Sequence, residues 1–260
     1  MVIKVNTAFL FVAILFPSIA FTQKFSFGAK AGVLTSYTNF GEQPGKENFS
    51  SDVKLGYSVA GLIGFPLKNR YSFVAEAGFT QQGRKYTYKP NGDSWNSTYY
   101  FTEFSMALRK NFKLKIKENI NTDWFVNFGP NINYWLGGQG SMDPYFGIHQ
   151  SYAYIFDKVP DQSYTNIYLN NINRWMFGLN FGIGFTATTL KNQKILAELR
   201  MTWGQTYLGQ QNSESLGGTP HIMDEMSLKC NLKVLNLSVA YIFDKDIQKS
   251  RMGKSTKKVK

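Results

Sequence analysis

The chain has 260 residues, with 29 Lys+Arg against 17 Asp+Glu for a formal net charge of +12, and 16% aromatics. Its single cysteine, Cys230, excludes an internal disulfide framework and any cysteine-cluster metal site. Abundant Gly and aromatic rings are foreign to a soluble α/β enzyme and suit a β-protein that shows rings to lipid.

The chain opens on Lys4, an apolar run over residues 8–16, Pro17 and the small-x-small sequence Ser18-Ile19-Ala20. That order reads as a secretory signal peptide over residues 1–23, with cleavage after Ala20 or after Gln23. The apolar run is too short to span a bilayer core of about 30 Å. No cysteine follows it, which excludes a lipoprotein anchor. No later run reaches about 18 apolar residues, so no transmembrane helix is expected.

Residues 24–243 alternate between strand-like and turn-like segments. Eight strands are predicted, at 24–37, 52–65, 70–88, 98–113, 123–139, 173–187, 194–208 and 228–243. In the sixth, Trp175, Phe177, Leu179, Phe181, Ile183 and Phe185 share one face, and Gly178, Asn180, Gly182 and Gly184 share the other. In the fifth, Trp124, Val126, Phe128, Ile132 and Tyr134 oppose Asn127, Gly129, Asn131 and Asn133. In the last, Leu235, Leu237, Val239, Tyr241 and Phe243 oppose Asn236, Ser238 and Ala240. A helix, with its period of about 3.6, would scramble these sets.

A soluble β-sandwich also alternates. These strands are too long for one, since soluble strands usually run about five or six residues. Their apolar faces carry aromatics near both ends, as the girdles of a membrane barrel do, and their other faces hold Gly, Asn, Ser and charges. The fold class is therefore all-β: a transmembrane antiparallel up-and-down β-barrel of about eight strands. Long connections (38–51, 89–97, 140–172, 209–227) alternate with short ones (66–69, 114–122, 188–193). Long loops are expected outside the cell and short turns in the periplasm, which places both termini in the periplasm. The 140–172 connection, with Tyr152, Tyr154 and Phe156 alternating, is expected to form an extracellular hairpin; the alternative is a further membrane hairpin, giving ten strands. Residues 244–260 hold seven Lys/Arg and two Asp and are expected to be a basic disordered periplasmic tail.

In order and spacing these strands resemble the PorT-like outer-membrane β-barrel proteins of Bacteroidota. The likeness covers residues 20–243. It rests on "FSFGAKAGVLTS", on "VAEAGFTQQG" with Glu76 and Gly83 at the family's places, and on "FTEFSMALRKNF", "GPNINYWLGG" and "LNLSVAYIF". The chain departs at Ser105-Met106, where relatives often have Pro, and in its tail. The resemblance implies the barrel fold, an outer-membrane location and a link to assembly of a protein secretion system.

Lys30, Glu76, Glu103, Arg109, Glu198 and Arg200 all fall on inward faces. Buried charges must pair, so an interior network is expected to plug the lumen; a proton or ion path is the competing use. Tyr241 and Phe243 are expected to close the last strand at the lipid rim. His149-Gln150-Ser151 has a catalytic look, but its predicted loop position argues against an esterase. His221, also in a loop, makes a weak metal ligand. Gly253-Lys254-Ser255-Thr256 lacks the strand-loop-helix setting of a phosphate-binding loop. No cofactor, metal site or catalytic residue is expected. The expected role is a non-enzymatic scaffold, assembly or secretion-associated factor acting through loops and tail. The alternatives are a small-solute or lipid-handling barrel and, further off, a lipid hydrolase. Expected partners are outer-membrane lipids, the barrel assembly machinery and a periplasmic or secretion-system protein, not nucleic acid.

Overall fold

Strand alternation sorts side chains onto two faces, and the computed structural model closes those faces into a ring. The structure describes residues 24–39, 46–117, 120–144, 147–156, 166–169, 172–188, 193–204, 206–209 and 230–246. The signal segment 1–23, His221, the Gly253–Thr256 sequence and residues 247–260 of the tail lie outside them.

The strands are β1 (Lys24–Asn39), β2 (Phe49–Asp52), β3 (Lys54–Pro66), β4 (Tyr71–Tyr88), β5 (Asp93–Lys117), β6 (Ile120–Asp143), β7 (Gln150–Phe156), β8 (Asn166–Leu169), β9 (Trp175–Thr188), β10 (Gln193–Gly204) and β11 (Asn231–Asp246). Eight of them pair antiparallel around a closed circuit, β1-β3-β4-β5-β6-β9-β10-β11. β11 returns to β1 along its whole length, from Lys24↔Asp246 to Asn39↔Asn231. No edge is left in the ring, so each strand's backbone groups find partners on both sides.

The burial pattern is the inverse of a soluble protein's. Val33, Phe181, Leu237 and Val239 point outward and are about half or more exposed, whereas Lys30, Glu76, Arg109, Glu198 and Arg200 are buried. Aromatic pairs belt the outer surface at two levels. Near the termini, Phe27 stacks on Phe243 at 5.4 Å and Phe112 on Trp124 at 4.2 Å. Near the other end, Tyr134 meets Trp175 at 4.8 Å, and Phe79 stacks on Tyr100 at 6.0 Å. Trp175 and Phe185 of β9 lie about 34 Å apart along the strand, roughly 25 Å along the membrane normal at a barrel's usual tilt. That matches the apolar band of an outer-membrane barrel.

Three features differ from the sequence reading. The 89–97 connection shrinks to a tight turn at 89–92, because Gly92 takes φ +79° and its N–H donates to the Tyr88 carbonyl at 2.8 Å; Tyr86 then stacks on Trp95 across the hairpin at 5.1 Å. The 140–172 segment is not a simple hairpin. β7 pairs antiparallel with β6, and β8 pairs parallel with β7. The reason is a free edge: β9 leaves β6 at Tyr134↔Trp175, so β6 beyond that point has room for β7. Neither β7 nor β8 enters the ring, so it has eight strands and not ten. Finally, β11 runs past Phe243 to Asp246, and Lys194 Nζ pairs with Asp244 Oδ2 at 2.6 Å.

The outward faces predict how charge is tolerated with depth. Replacing mid-strand Leu237 by Lys should lower the stability of the vesicle-folded barrel by about 2–4 kcal/mol, while Phe243→Asp at the rim should cost at most about 1 kcal/mol. Removing 247–260 should leave the heat-sensitive gel shift of the folded form intact. Urea unfolding from lipid vesicles, followed by that gel shift, reads all three.

Candidate functional site

The lumen is filled in three layers. Toward the termini, Leu62, Phe125, Leu196, Ala240 and Ile242 pack as an apolar floor. Above it lie the charges. Arg200 (β10) donates from Nη2 to Glu76 Oε1 at 2.7 Å and from Nη1 to Glu76 Oε2 at 2.8 Å, a bidentate clasp on β4. β4 and β10 are four strands apart either way round the ring, so this clasp is a strut across its diameter. Arg200 Nε also donates to Glu198 Oε1 at 2.7 Å. Lys30 (β1) donates to both Glu76 oxygens at 3.2 Å and to Glu198 Oε2 at 2.8 Å. Arg109 (β5) sits 3.8 Å from Glu198 Oε2, with its guanidinium 4.0 Å over the Phe125 ring. Asn127 Nδ2 donates to Glu198 Oε1 at 3.1 Å.

Five of the six predicted interior charges thus meet directly. Glu103 stands apart from the ion pairs. All three guanidinium nitrogens of Arg200 already serve Glu76 and Glu198. Among the described residues, Glu103 has one polar partner, Asn131 Nδ2, at 3.5 Å. Between Glu103, Glu76, Lys30, Arg200, Ser105 and Asn236 is a cavity of about 20 Å³, which has room for roughly one water.

The third layer caps the charges toward the loop end. Tyr99, Phe101, Trp135, Tyr152, Tyr154 and Leu34 belong to one buried apolar cluster. Trp135 meets the edges of Tyr99 and Phe156, each at 5.0 Å. Arg84 is fully buried beside it, 5.1 Å over Tyr86 and 5.8 Å over Tyr99. β7 supplies part of this cap, because the Tyr152 and Tyr154 hydroxyls lie 3.3 and 2.8 Å from Ser97 Oγ. The sequence reading missed Tyr99, Phe101 and Trp135. The first two share the parity of Glu103 and so signal inward rings. Trp135 shares the parity of Asn131 and Asn133, just before β6 shifts register beyond it.

A closed ring with lipid-facing apolar rings and a charged interior is the signature of one membrane architecture, and the sequence matches its family model, described as outer membrane protein beta-barrel domain, over residues 21–206. The chain belongs to that family. No curated protein matches the sequence. Among solved structures, this outer-membrane barrel is similar to Ail, the attachment invasion locus protein of Yersinia pestis (13% identity, TM-score 0.34, covering 84% of this chain and 98% of that one). It is also similar to Neisserial surface protein A (13%, 0.38, 83% and 95%) and to OprG from Pseudomonas aeruginosa (9%, 0.43, 85% and 95%).

On its outer surface, above the loop-end belt, the barrel carries one further constellation. Ser151 is not in a loop: it is on strand β7, directly after His149-Gln150. Its Oγ lies 3.3 Å from His149 Nε2, and His149 Nδ1 is hydrogen-bonded to Asp143 Oδ1. Tyr241 and Phe243, expected at the closing strand, face outward on β11 with ring centroids 4.7 Å apart.

Because the Arg200–Glu76 pair is buried, breaking it should be costly. Glu76→Gln would orphan the Arg200 clasp and should lower stability by roughly 3–5 kcal/mol. Adding Arg200→Met should recover part of the loss, although Lys30 keeps only Glu198. Urea titration of wild type, both singles and the double variant gives the comparison.

Proposed function

We propose that this barrel is a sealed, non-conducting scaffold of the outer membrane, acting in assembly or secretion through its two rims and tail and not through its lumen. The observation that carries this reading is the three-layer filling of the interior. An eight-stranded barrel is just wide enough for side chains, and here an apolar floor, an ionic middle and an aromatic cap occupy that width.

The resemblance to PorT-like proteins supports a link to a secretion apparatus. The short connections on the side of the termini, 67–70, 118–119 and 189–192, support a periplasmic position for both ends. From there the basic segment after Asp246 would reach a periplasmic or secretion-system protein. Outer-membrane lipids and the barrel assembly machinery complete the set of partners. The solute-handling reading asks for a continuous polar path, and the aromatic cap and apolar floor lie across it.

Two measurements test the proposal together. The purified barrel in planar bilayers should show no steady conductance. Crosslinking in native outer membrane should recover a discrete protein partner that is lost when the rims or residues 247–260 are altered. Porin-like steps from wild type, or recovery of lipid and assembly machinery alone, would overturn it.

A further inference from the structure

The outer face of the loop-end sheet holds a hydrogen-bonded chain that a scaffold does not need. We propose that Ser151, His149 and Asp143 form an esterase site for water-soluble carboxylic esters that carry an anionic group. This goes beyond the scaffold reading and does not depend on it.

Three observations carry the assignment. The first is atom-level order. Asp143 Oδ1 accepts from His149 Nδ1, and His149 Nε2 faces Ser151 Oγ at 3.3 Å. That is nucleophile, base and orienting carboxylate in sequence, and a carboxylate at Nδ1 favours the tautomer that leaves Nε2 open to the serine proton. The second is support. Tyr152 and Tyr154 are buried and hydrogen-bonded at Ser97. Strand alternation therefore turns Ser151 to the opposite, open face. The third is a place for substrate. His149 and Ser151 line an open groove of about 570 Å³ with Lys54, Asn96, Gln139 and Ser141.

The groove's chemistry selects the ester. Lys54 supplies a cation at its wall, held by Asn96 Oδ1, which favours an anionic group. Asp143 lies about 30 Å along β6 beyond Tyr134 of the loop-end belt, well clear of the apolar band. A soluble ester fits that height better than an acyl chain in the bilayer.

The reaction balances with water alone as co-reactant. Ser151 Oγ adds to the ester carbonyl while its proton passes to His149 Nε2. The tetrahedral intermediate collapses, the alcohol leaves with the proton from His149, and an acyl-serine remains. Water, deprotonated by His149, then releases the carboxylic acid and restores Ser151. Asn96, Gln139 and Ser141 line the same groove and supply its amide and hydroxyl donors for the oxyanion. Asp143 acts as a positioning residue through His149.

The test uses full-length protein folded in detergent, with the heat-sensitive gel shift as the check on folding. A fluorophosphonate probe should label Ser151 in wild type, located by peptide mapping, and should not label Ser151→Ala. Hydrolysis of mono-4-nitrophenyl succinate should exceed that of 4-nitrophenyl acetate, and Lys54→Met should remove the preference. His149→Ala should slow turnover roughly 100-fold. Asp143→Asn should lower kcat with KM unchanged, and Asp143→Glu should recover much of it, which a merely structural contact would not do. Folded wild type that is labelled no more than Ser151→Ala, or turnover indifferent to His149, overturns the site. Equal hydrolysis of the two esters overturns the substrate class.

Discussion

Everything in this molecule follows from one constraint: in hydrocarbon, a backbone N–H or C=O without a partner has no water to turn to. The chain meets it by pairing β11 back onto β1 along their whole length. Once the ring is closed at eight strands, its diameter is set and so is the lumen. Outward positions must suit lipid, and inward positions must fill a space about as wide as the side chains themselves. The two faces of each strand are two separate selection problems, which is why the sequence alternates so strictly.

The charged layer is one solution to the second problem. Buried ions are not a cheap source of stability, since desolvation offsets most of the attraction. What they supply here is geometry. The Arg200–Glu76 clasp joins opposite walls, and Lys30 and Arg109 tie two more strands to the same pair of carboxylates. A shift of one residue in any of these strands would turn a charge into lipid, so the network also fixes register. Small residues make room for it. A Cβ at Gly182 would stand 2.4 Å from Asn127 Oδ1 and 2.8 Å from Glu198 Oε1, so only glycine lets those side chains lie flat against β9.

Period-two patterning made the ring legible because it is a local property: each strand reports its own faces. Glu76, Arg109, Glu198 and Arg200 could be assigned inward from parity alone. Contacts between strands are not local, and there the sequence was silent. Nothing near Glu103 announces that the guanidinium of Arg200 turns to Glu76 and Glu198 instead. Trp135 keeps the parity of Asn131 and Asn133, and the alternation of β6 breaks only past it; what parity does not show is that its ring packs with Tyr99 and Phe156 into a cap. β7 was read as half of a hairpin because its partner, the free upper edge of β6, exists only once β9 is known to stop at Trp175. The His149–Ser151 pair reads from sequence as part of a loop, and Asp143 joins it only because β7 lies beside β6.

That free edge explains why surface chemistry concentrates where it does. β5 and β6 are far longer than their neighbours, at 25 and 24 residues, and rise above the ring on one side. An unpaired edge standing in water invites pairing with other chains, and β7 covers it. The covering strand must do two things at once. Its inward residues, Tyr152 and Tyr154, seal the lumen against Ser97, and its outward residues are left free of packing duty. Side chains so released, held on a rigid sheet and clear of the membrane, can carry chemistry without disturbing the barrel. The fold thus separates its tasks by height: register and closure are secured inside the bilayer, and recognition is left to the strands that outgrow it.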